Sequence, residues 1–380
     1  MNNKNIEFSV VIPCLNEEET LHLVVKKALN SFKVLGIEGE VIVADNGSTD
    51  KSVEIAESCG ARVVHVDQRG YGNALIGGMS AAKGKFIIMG DADDSYNFDE
   101  IENFVEEIRS GDKDIVIGTR LRGVIEKGAM PFLHRYLGTP VLTIILNLFF
   151  GTHISDCNCG MRCLTKEAFE EMSLSSPGME FASEMMIKAG LLKLKIKEIP
   201  INFYKDKRNK PPHLNTWRDG WRHLRFMFLY SPLYLFIVPG IALMVLGFLI
   251  MAPLLAGPVK ISGLVFDYHS ALFGSMFVIL GYQTIIIGLF AKAYALTQSF
   301  RIPDGFIKKF YSVFTLEYGI LSGLAVLLIG IGIEIAVIFS WAESGYSNLS
   351  MASLVAFGST LIIIGLQTVF ASFFLSLLKR

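Results

Sequence analysis

Over the first 120 residues, short apolar runs alternate with stretches of helical periodicity. Phe8 to Ile12 is a β-branched run that ends at Pro13, and Asn16 with Glu19 three residues on reads as a helix cap. Leu21, Val24, Val25, Ala28, Leu29 and Phe32 follow at helical spacing and predict one apolar helix face. Val41 to Ala44 predicts a second strand, followed by the polar turn Asp45 to Asp50 and a helix that Gly60 closes. Arg62 to Val66 predicts a third strand, and Gln68 to Asn73 a loop before a short helix over Ala74 to Ala82. Phe86 to Met89 predicts a fourth, buried strand that stops at Asp91, Asp93 and Asp94. A helix from about Asp99 to Ser110 then leads to a fifth strand, Asp114 to Gly118. This alternation predicts a mainly parallel, Rossmann-like α/β sheet covered on both faces, with a site built by loops at the strand carboxyl ends. Asp45, Gly70 and Asp91 all fall at such ends.

The pattern changes after residue 230. Four apolar stretches, near Leu233 to Leu255, Ala271 to Leu296, Tyr318 to Trp341 and Ala352 to Leu378, are each long enough to cross a hydrocarbon core of about 30 Å. Arg225, Arg301, Lys308, Lys309, Lys379 and Arg380 fall on one side of these spans, whereas the other side carries only Lys260. The positive-inside rule therefore predicts both termini in the cytoplasm. Phe273-Gly274-Ser275, Gly281 and Gln283-Thr284 recur 84 residues later as Phe357-Gly358-Ser359, Gly365 and Gln367-Thr368, which predicts two duplicated hairpins. Gly319 and Gly323 suit close helix contact within or between subunits, leaving a homo-oligomer open. Glu334, inside the third span, is expected to face protein or a polar headgroup, either in helix packing with Gln283 or Gln367 or in a functional role.

Between the two halves, Tyr204 to His213 is a basic, proline-bearing loop, read either as a solvated linker or as a segment that folds over the diphosphate or faces anionic lipid heads. Trp217, Trp221, Leu224 and Phe228 then recur at helical spacing beside Arg218, Arg222 and Arg225, the pattern of an interfacial amphipathic helix. The expected domains are thus a catalytic α/β unit over 1–205, a basic loop and interface helix over 206–230, and an all-α membrane domain over 231–380. Tyr136 to Phe150 is apolar but too short to span a bilayer; it reads as a helix dipping into the interface or as a core helix.

Net charge near zero, −1 for 380 residues, argues against nucleic-acid binding. The polar amino terminus, Met1 to Glu7, predicts no signal peptide, so the catalytic half is expected in the cytoplasm. Its five cysteines are expected reduced; Cys157, Cys159 and Cys163 lack a fourth zinc ligand at a familiar spacing. Gly70-Tyr71-Gly72 lacks the third glycine of a dinucleotide fingerprint, and there is no Walker loop. Carboxylates at Asp91 and Asp93 would suit a hard cation, Mg2+ or Mn2+, carrying a diphosphate; the alternative is a solvated acidic turn capping the next helix.

Val11-Ile12-Pro13-Cys14-Leu15-Asn16-Glu17-Glu18, Asp45-Asn46-Gly47-Ser48-Thr49-Asp50 and Asp91-Ala92-Asp93, in that order and spacing, resemble the family 2 glycosyltransferases of GT-A fold over residues 6 to 205. The later segments are most similar to polyprenyl-phosphate sugar transferases of the dolichyl-phosphate glucose or mannose synthase type. The resemblance implies that Pro13, Glu17 and Asp45 hold the nucleotide, Asp91 its ribose side and Asp93 the metal. Asn16, Gly70 and Ala92 complete the expected donor-binding set, and Asp91 joins Asp93 as an expected metal ligand. Where some of those enzymes carry a metal-binding glutamine, this chain has Ser95.

A phosphate acceptor is already a dianion near neutrality, so it needs cations rather than a base. Arg120, Arg135 and Arg208 fit that need. The resemblance implies an acidic residue close to the acceptor near Asp156 or Glu184; either is otherwise a structural partner of a nearby arginine. The expected catalytic set is Asp93, Arg120, Arg135, Asp156 and Glu184. The resulting expectation is inverting transfer of a hexose from UDP-glucose, or next from GDP-mannose, to a polyprenyl phosphate; both sugars rest on the resemblance. A processive polysaccharide synthase is the rival, but its Gln-x-x-Arg-Trp motif is missing, since Gln298-Ser-Phe-Arg301 is followed by Ile302. A non-catalytic sugar-nucleotide sensor or scaffold is the third reading.

Overall fold

The computed structural model describes residues 6–208, 216–297, 314–346 and 351–378. Lys210 to His213 of the basic loop, Gln298, Arg301, Lys308 and Lys309, and the terminal Lys379 and Arg380 lie outside the described residues. The chain divides into two units, Met1–Tyr230 and Ser231–Arg380.

The first unit is built on β1 (Phe8–Cys14), β2 (Gly39–Asp45), β3 (Arg62–His65), β4 (Phe86–Met89), β5 (Ile115–Thr119), β6 (Arg162–Thr165) and β7 (Ile196–Pro200). They form one sheet in the order β3-β2-β1-β4-β6-β5-β7. All pairings are parallel except those of β6, which runs antiparallel to both β4 and β5. Successive residues of the central strands feed opposite cores: Val10, Ile12 and Ile88 on one face, Val11, Ile87 and Met89 on the other. Burial on both faces is why these strands read as uninterrupted apolar runs. Helices α1 (Leu21–Val34), α2 (Ser52–Ser58), α3 (Tyr71–Ala81) and α4 (Glu102–Arg109) connect the first five strands. Because β2 lies to one side of β1 and β4 to the other, the strand order reverses there and opens a crevice at the carboxyl edge.

The second half of the unit holds α5 (Thr139–Phe150), α6 (Lys166–Met172), α7 (Phe181–Leu191) and α8 (Thr216–Leu229). A single π turn, His134–Gly138, leads into α5. Strand β6, which periodicity did not reveal, buries a charge: the Arg162 guanidinium donates to the carbonyls of Cys157, Cys159 and Ala182 at 2.9 Å each. The five cysteines are free, and all but Cys59 are buried.

In the second unit, α9 (Val238–Leu254, continued from a π turn at Leu233–Ile237), α10 (Tyr268–Thr297), α11 (Leu316–Glu343) and α12 (Ala352–Leu378) are long and apolar enough to cross a membrane. A two-stranded ribbon, β8 (Val259–Ile261) with β9 (Leu264–Phe266), links α9 to α10. A Cβ on Gly240 or Gly247 would meet the carbonyl of Gly281 or Gly274 within 2.8 Å. In the second hairpin, Gly323 and Gly330 meet the carbonyls of Gly365 and Gly358 within 2.9 Å in the same way. Glycine lets the backbones touch. Glu334 accepts from Ser359 at 2.9 Å rather than from either expected glutamine, because Ser359 lies on the facing turn of α12.

Candidate active site

Four segments meet at the carboxyl edge: the turns after β1, β2 and β4, and the strand exit beyond β7. Asn16 does not cap α1; Thr20 occupies that position. With φ of 59°, Asn16 instead turns its side chain to accept from the amides of Thr49 (2.8 Å) and Asp50 (3.3 Å). Satisfying those turn amides ties the first motif to the second. Asp45 accepts from the Ser48 amide at 3.0 Å and lies 3.1 Å from His65 Nδ1. Burial raises its pKa, but the hydrogen bonds from Ser48, His65 and Gly47 outweigh that and hold the carboxyl below its usual range.

Asn46 had no assigned role in the sequence, yet it shapes the next turn. It donates to the carbonyls of Val66 (2.9 Å) and Gln68 (2.8 Å) and accepts from the Gly70 amide at 2.7 Å. Gly70 has φ of 138°, and a Cβ there would lie 2.1 Å from the Pro177 carbonyl, so only glycine fits. Gly70 delivers Tyr71, whose hydroxyl donates to Asp91 Oδ1 at 2.9 Å. No local pattern marks that contact; the only hint was the position of Tyr71 beside a glycine at a strand end.

Burial, with Asp93 next in effect, pushes the Asp91 carboxyl up to about 7 even though Tyr71, Arg208 and Arg120 act in the opposite sense. Asp93 Oδ1 accepts from the Ser95 amide (3.0 Å) and hydroxyl (2.6 Å), and its Oδ2 lies 3.1 Å from Arg208. Asp94, with φ of 61°, turns away from its neighbours to pair with Lys27 and Lys207, each at 2.6 Å. Glu17 is buried; Oε1 pairs with Arg208 at 2.8 Å, and among the described residues Oε2 has no hydrogen-bond partner. Pro13 pairs in register with Ala44, and Ala92 is buried in the core.

These residues fit a hard divalent cation on their chemistry. Asp91 is an under-compensated carboxylate beside a second one, and Glu17 adds an orphan buried oxygen. Among the described residues, no group of three His, Cys, Asp or Glu side chains is set to hold an ion by itself. The adjacent carboxylates of Asp91 and Asp93 suit Mg2+ or Mn2+, which take one or two carboxylates and complete their shell from phosphate and water.

Arg120 follows β5 and is buried with Asp156: Nε lies 2.7 Å from Oδ2, and the second fork nitrogen 2.8 Å from Oδ1. The guanidinium also stacks over Phe203 at 5.1 Å. Asp156 is therefore committed to orienting Arg120. Glu184 is fully buried in α7, where it accepts from the Ser175 and Ser176 amides and pairs with Lys188 at 2.8 Å. Its partner is a lysine, not an arginine, because Lys188 is one turn along the same helix. It holds the turn whose Ser176 and Pro177 carbonyls abut Gly72 and Gly70, and so supports the site without entering it. Arg135 is half-buried on the π turn, stacked over Tyr136 at 5.4 Å. Of the three arginines, Arg208 and Arg120 are among the main electrostatic influences on Asp91.

Apolar side chains are exposed on α5 and α8. Val141, Ile144 and Leu148 repeat along one face of α5, and Trp217 and Trp221 are 77% and 62% exposed on α8. The two helices are joined by Phe149 and Phe228, ring centres 5.4 Å apart.

Residues 9–173 match the family described as glycosyl transferase family 2, and residues 289–379 match the glycosyltransferase family 2 C-terminal transmembrane region. Over 367 residues the chain is 40% identical to the low-salt glycan biosynthesis hexosyltransferase Agl6 of Haloferax volcanii, covering 97% of this chain and 88% of that protein. It is 28% identical over 199 residues to the dolichyl-phosphate hexose transferase of the same organism, covering 52% of this chain and 82% of that one. A solved structure, glucosyl-3-phosphoglycerate synthase from Mycobacterium tuberculosis, aligns with 59% of this chain and 80% of its own at 22% identity and a TM-score of 0.47.

Proposed function

The chain belongs to glycosyltransferase family 2, and from that premise we propose that it moves a hexose from a nucleotide-diphosphate sugar to a polyprenyl phosphate at the cytoplasmic membrane face. The observation that carries this reading is a cation held ready for an anion near the acidic edge: Arg120, fixed by Asp156 and acting on Asp91. The similarity to a protein named as a dolichyl-phosphate hexose transferase supports a lipid-phosphate acceptor. The apolar faces of α5 and α8 support delivery of that lipid at an interface.

In this reading, Asp45 and Glu17 flank the nucleotide, Asn46 and Gly70 shape the turn beside it, and Asp91 and Asp93 hold a divalent ion at the diphosphate. When bound, the ion supplies Lewis-acid stabilisation of the departing nucleoside diphosphate. Tyr71 fixes the rotamer of Asp91, and Ser95 fixes that of Asp93. Arg120, with its Nε and one terminal nitrogen held by Asp156, meets the acceptor phosphate with its remaining terminal nitrogen. The acceptor oxygen is already anionic, so attack at the anomeric carbon needs no proton transfer, and a single displacement inverts configuration. UDP-glucose is the favoured donor and GDP-mannose the next.

Membranes containing the full chain, supplied with polyprenyl phosphate and radiolabelled UDP-glucose or GDP-mannose, test the proposal. Label should enter the organic phase and be lost with a chelator or with Asp93→Ala. Insoluble polymer would favour a processive synthase, and no turnover with either donor a sensor.

A further inference from the structure

The chain leaving β7 crosses the acidic edge on a ladder of hydrogen bonds. The Tyr204 amide donates to the Ser95 carbonyl (3.0 Å), that of Lys205 to Glu126 (2.8 Å) and that of Lys207 to the Asp93 carbonyl (3.4 Å). The Lys207 ammonium is anchored on buried Asp94 at 2.6 Å. This strap places the Arg208 guanidinium between three carboxylates: Glu17 at 2.8 Å, Asp93 at 3.1 Å and Asp206 at 2.6 Å. The side chain is only 13% exposed there. Charge-assisted contacts of this kind are strong and directional. The fork therefore occupies the Asp93 oxygen that is left free by Ser95.

A divalent ion needs that same oxygen at about 2.0–2.1 Å, far inside the guanidinium distance. With the guanidinium 3.1 Å from that oxygen, a divalent ion entering alone meets a like charge at close range. We propose that Arg208 is the resident cation of the donor site: it excludes a bare divalent ion and yields only to an ion arriving with a nucleotide diphosphate. The diphosphate oxygens offer the displaced fork new bidentate partners, whereas a bare ion offers none. Ion and donor then bind as one unit, and the site is not loaded with metal alone. This rests on the transferase reading above.

The test is Mn2+ binding to the full-length protein in detergent, followed by the electron paramagnetic resonance signal of the free ion, with and without UDP or GDP. Wild type should bind Mn2+ weakly alone and at least tenfold more tightly with the matching nucleotide. Arg208→Gln should bind Mn2+ alone at least tenfold more tightly than wild type and lose most of the nucleotide-dependent gain. Arg208→Lys, which keeps the charge but not the fork, should fall between them and carries the comparison if the glutamine variant does not fold. Equal Mn2+ affinity of wild type and both variants without nucleotide, with a normal gain on adding it, overturns the role of Arg208 alone. No Mn2+ binding to any form with either nucleotide overturns this role and the transferase reading together.

Discussion

Replacing Asp156 by asparagine separates two roles that an acidic residue near an acceptor can have. The side chain keeps its shape but loses the charge that faces Arg120 through two contacts of 2.7 and 2.8 Å, with a third from the Arg120 amide at 3.1 Å. Asp156 is fully buried and Arg120 only 8% exposed, so water cannot replace the lost partner. Leaving one charge of a buried pair uncompensated costs about 3–5 kcal/mol. In a unit of this size each kcal/mol moves the melting temperature by roughly 2–4 °C, so the expected fall is on the order of 10 °C. Thermal unfolding of the full-length protein in detergent reads this directly. Transfer assays on the same sample, below the melting point, should show a raised KM for the lipid phosphate because Arg120 has lost its orientation. Joint replacement, Arg120→Met with Asp156→Leu, should restore most of the stability without activity. Abolished turnover in Asp156→Asn with melting unchanged to within a degree or two would refute the argument and make the carboxylate a participant in the chemistry.

Asp91 gives a pH-dependent test. Its carboxyl is raised from 3.8 to about 7 by burial and then by Asp93. The native state thus keeps a proton that the unfolded chain has released, and the ligand-free protein loses stability as pH rises from about 4 through 7. Asp91→Asn escapes that loss, so its melting temperature relative to wild type should be higher at pH 8 than at pH 5; a constant difference would show that the carboxylate is already compensated. Trp217 and Trp221, in a Trp341→Phe background, should be quenched by brominated lipid in reconstituted membranes, and unquenched emission would remove α8 from the interface. Gly247→Leu should force α9 from α10, since its Cβ alone would lie 2.6 Å from the Gly274 carbonyl, whereas a Cβ at Gly332 meets nothing within 4 Å among the described residues, so Gly332→Leu serves as the control. The first should lower the melting temperature by several degrees and the second should not; equal effects would contradict the packing.

The sequence by itself determined whatever is written within a few residues of itself. Strands β1, β2, β4 and β5 are legible because a parallel strand buried on both faces is apolar throughout. The acidic stop at Asp91 to Asp94, the amphipathic face of α8 and the four long apolar spans are equally local. Strand β6 was not legible, because its four residues include Arg162, whose charge is satisfied by carbonyls that only folding supplies. Helix α7 hid for a similar reason: it buries Ser183, Glu184 and Lys188 and so shows no polar stripe. The tertiary structure alone decided the partners. Asp156 meets Arg120 across 36 residues, Asp93 meets Arg208 across 115, and Glu17 meets Arg208 across 191. A carboxylate carries no local record of which distant cation will reach it, because that choice is made by the order of strands in the sheet and the path of the chain across its edge.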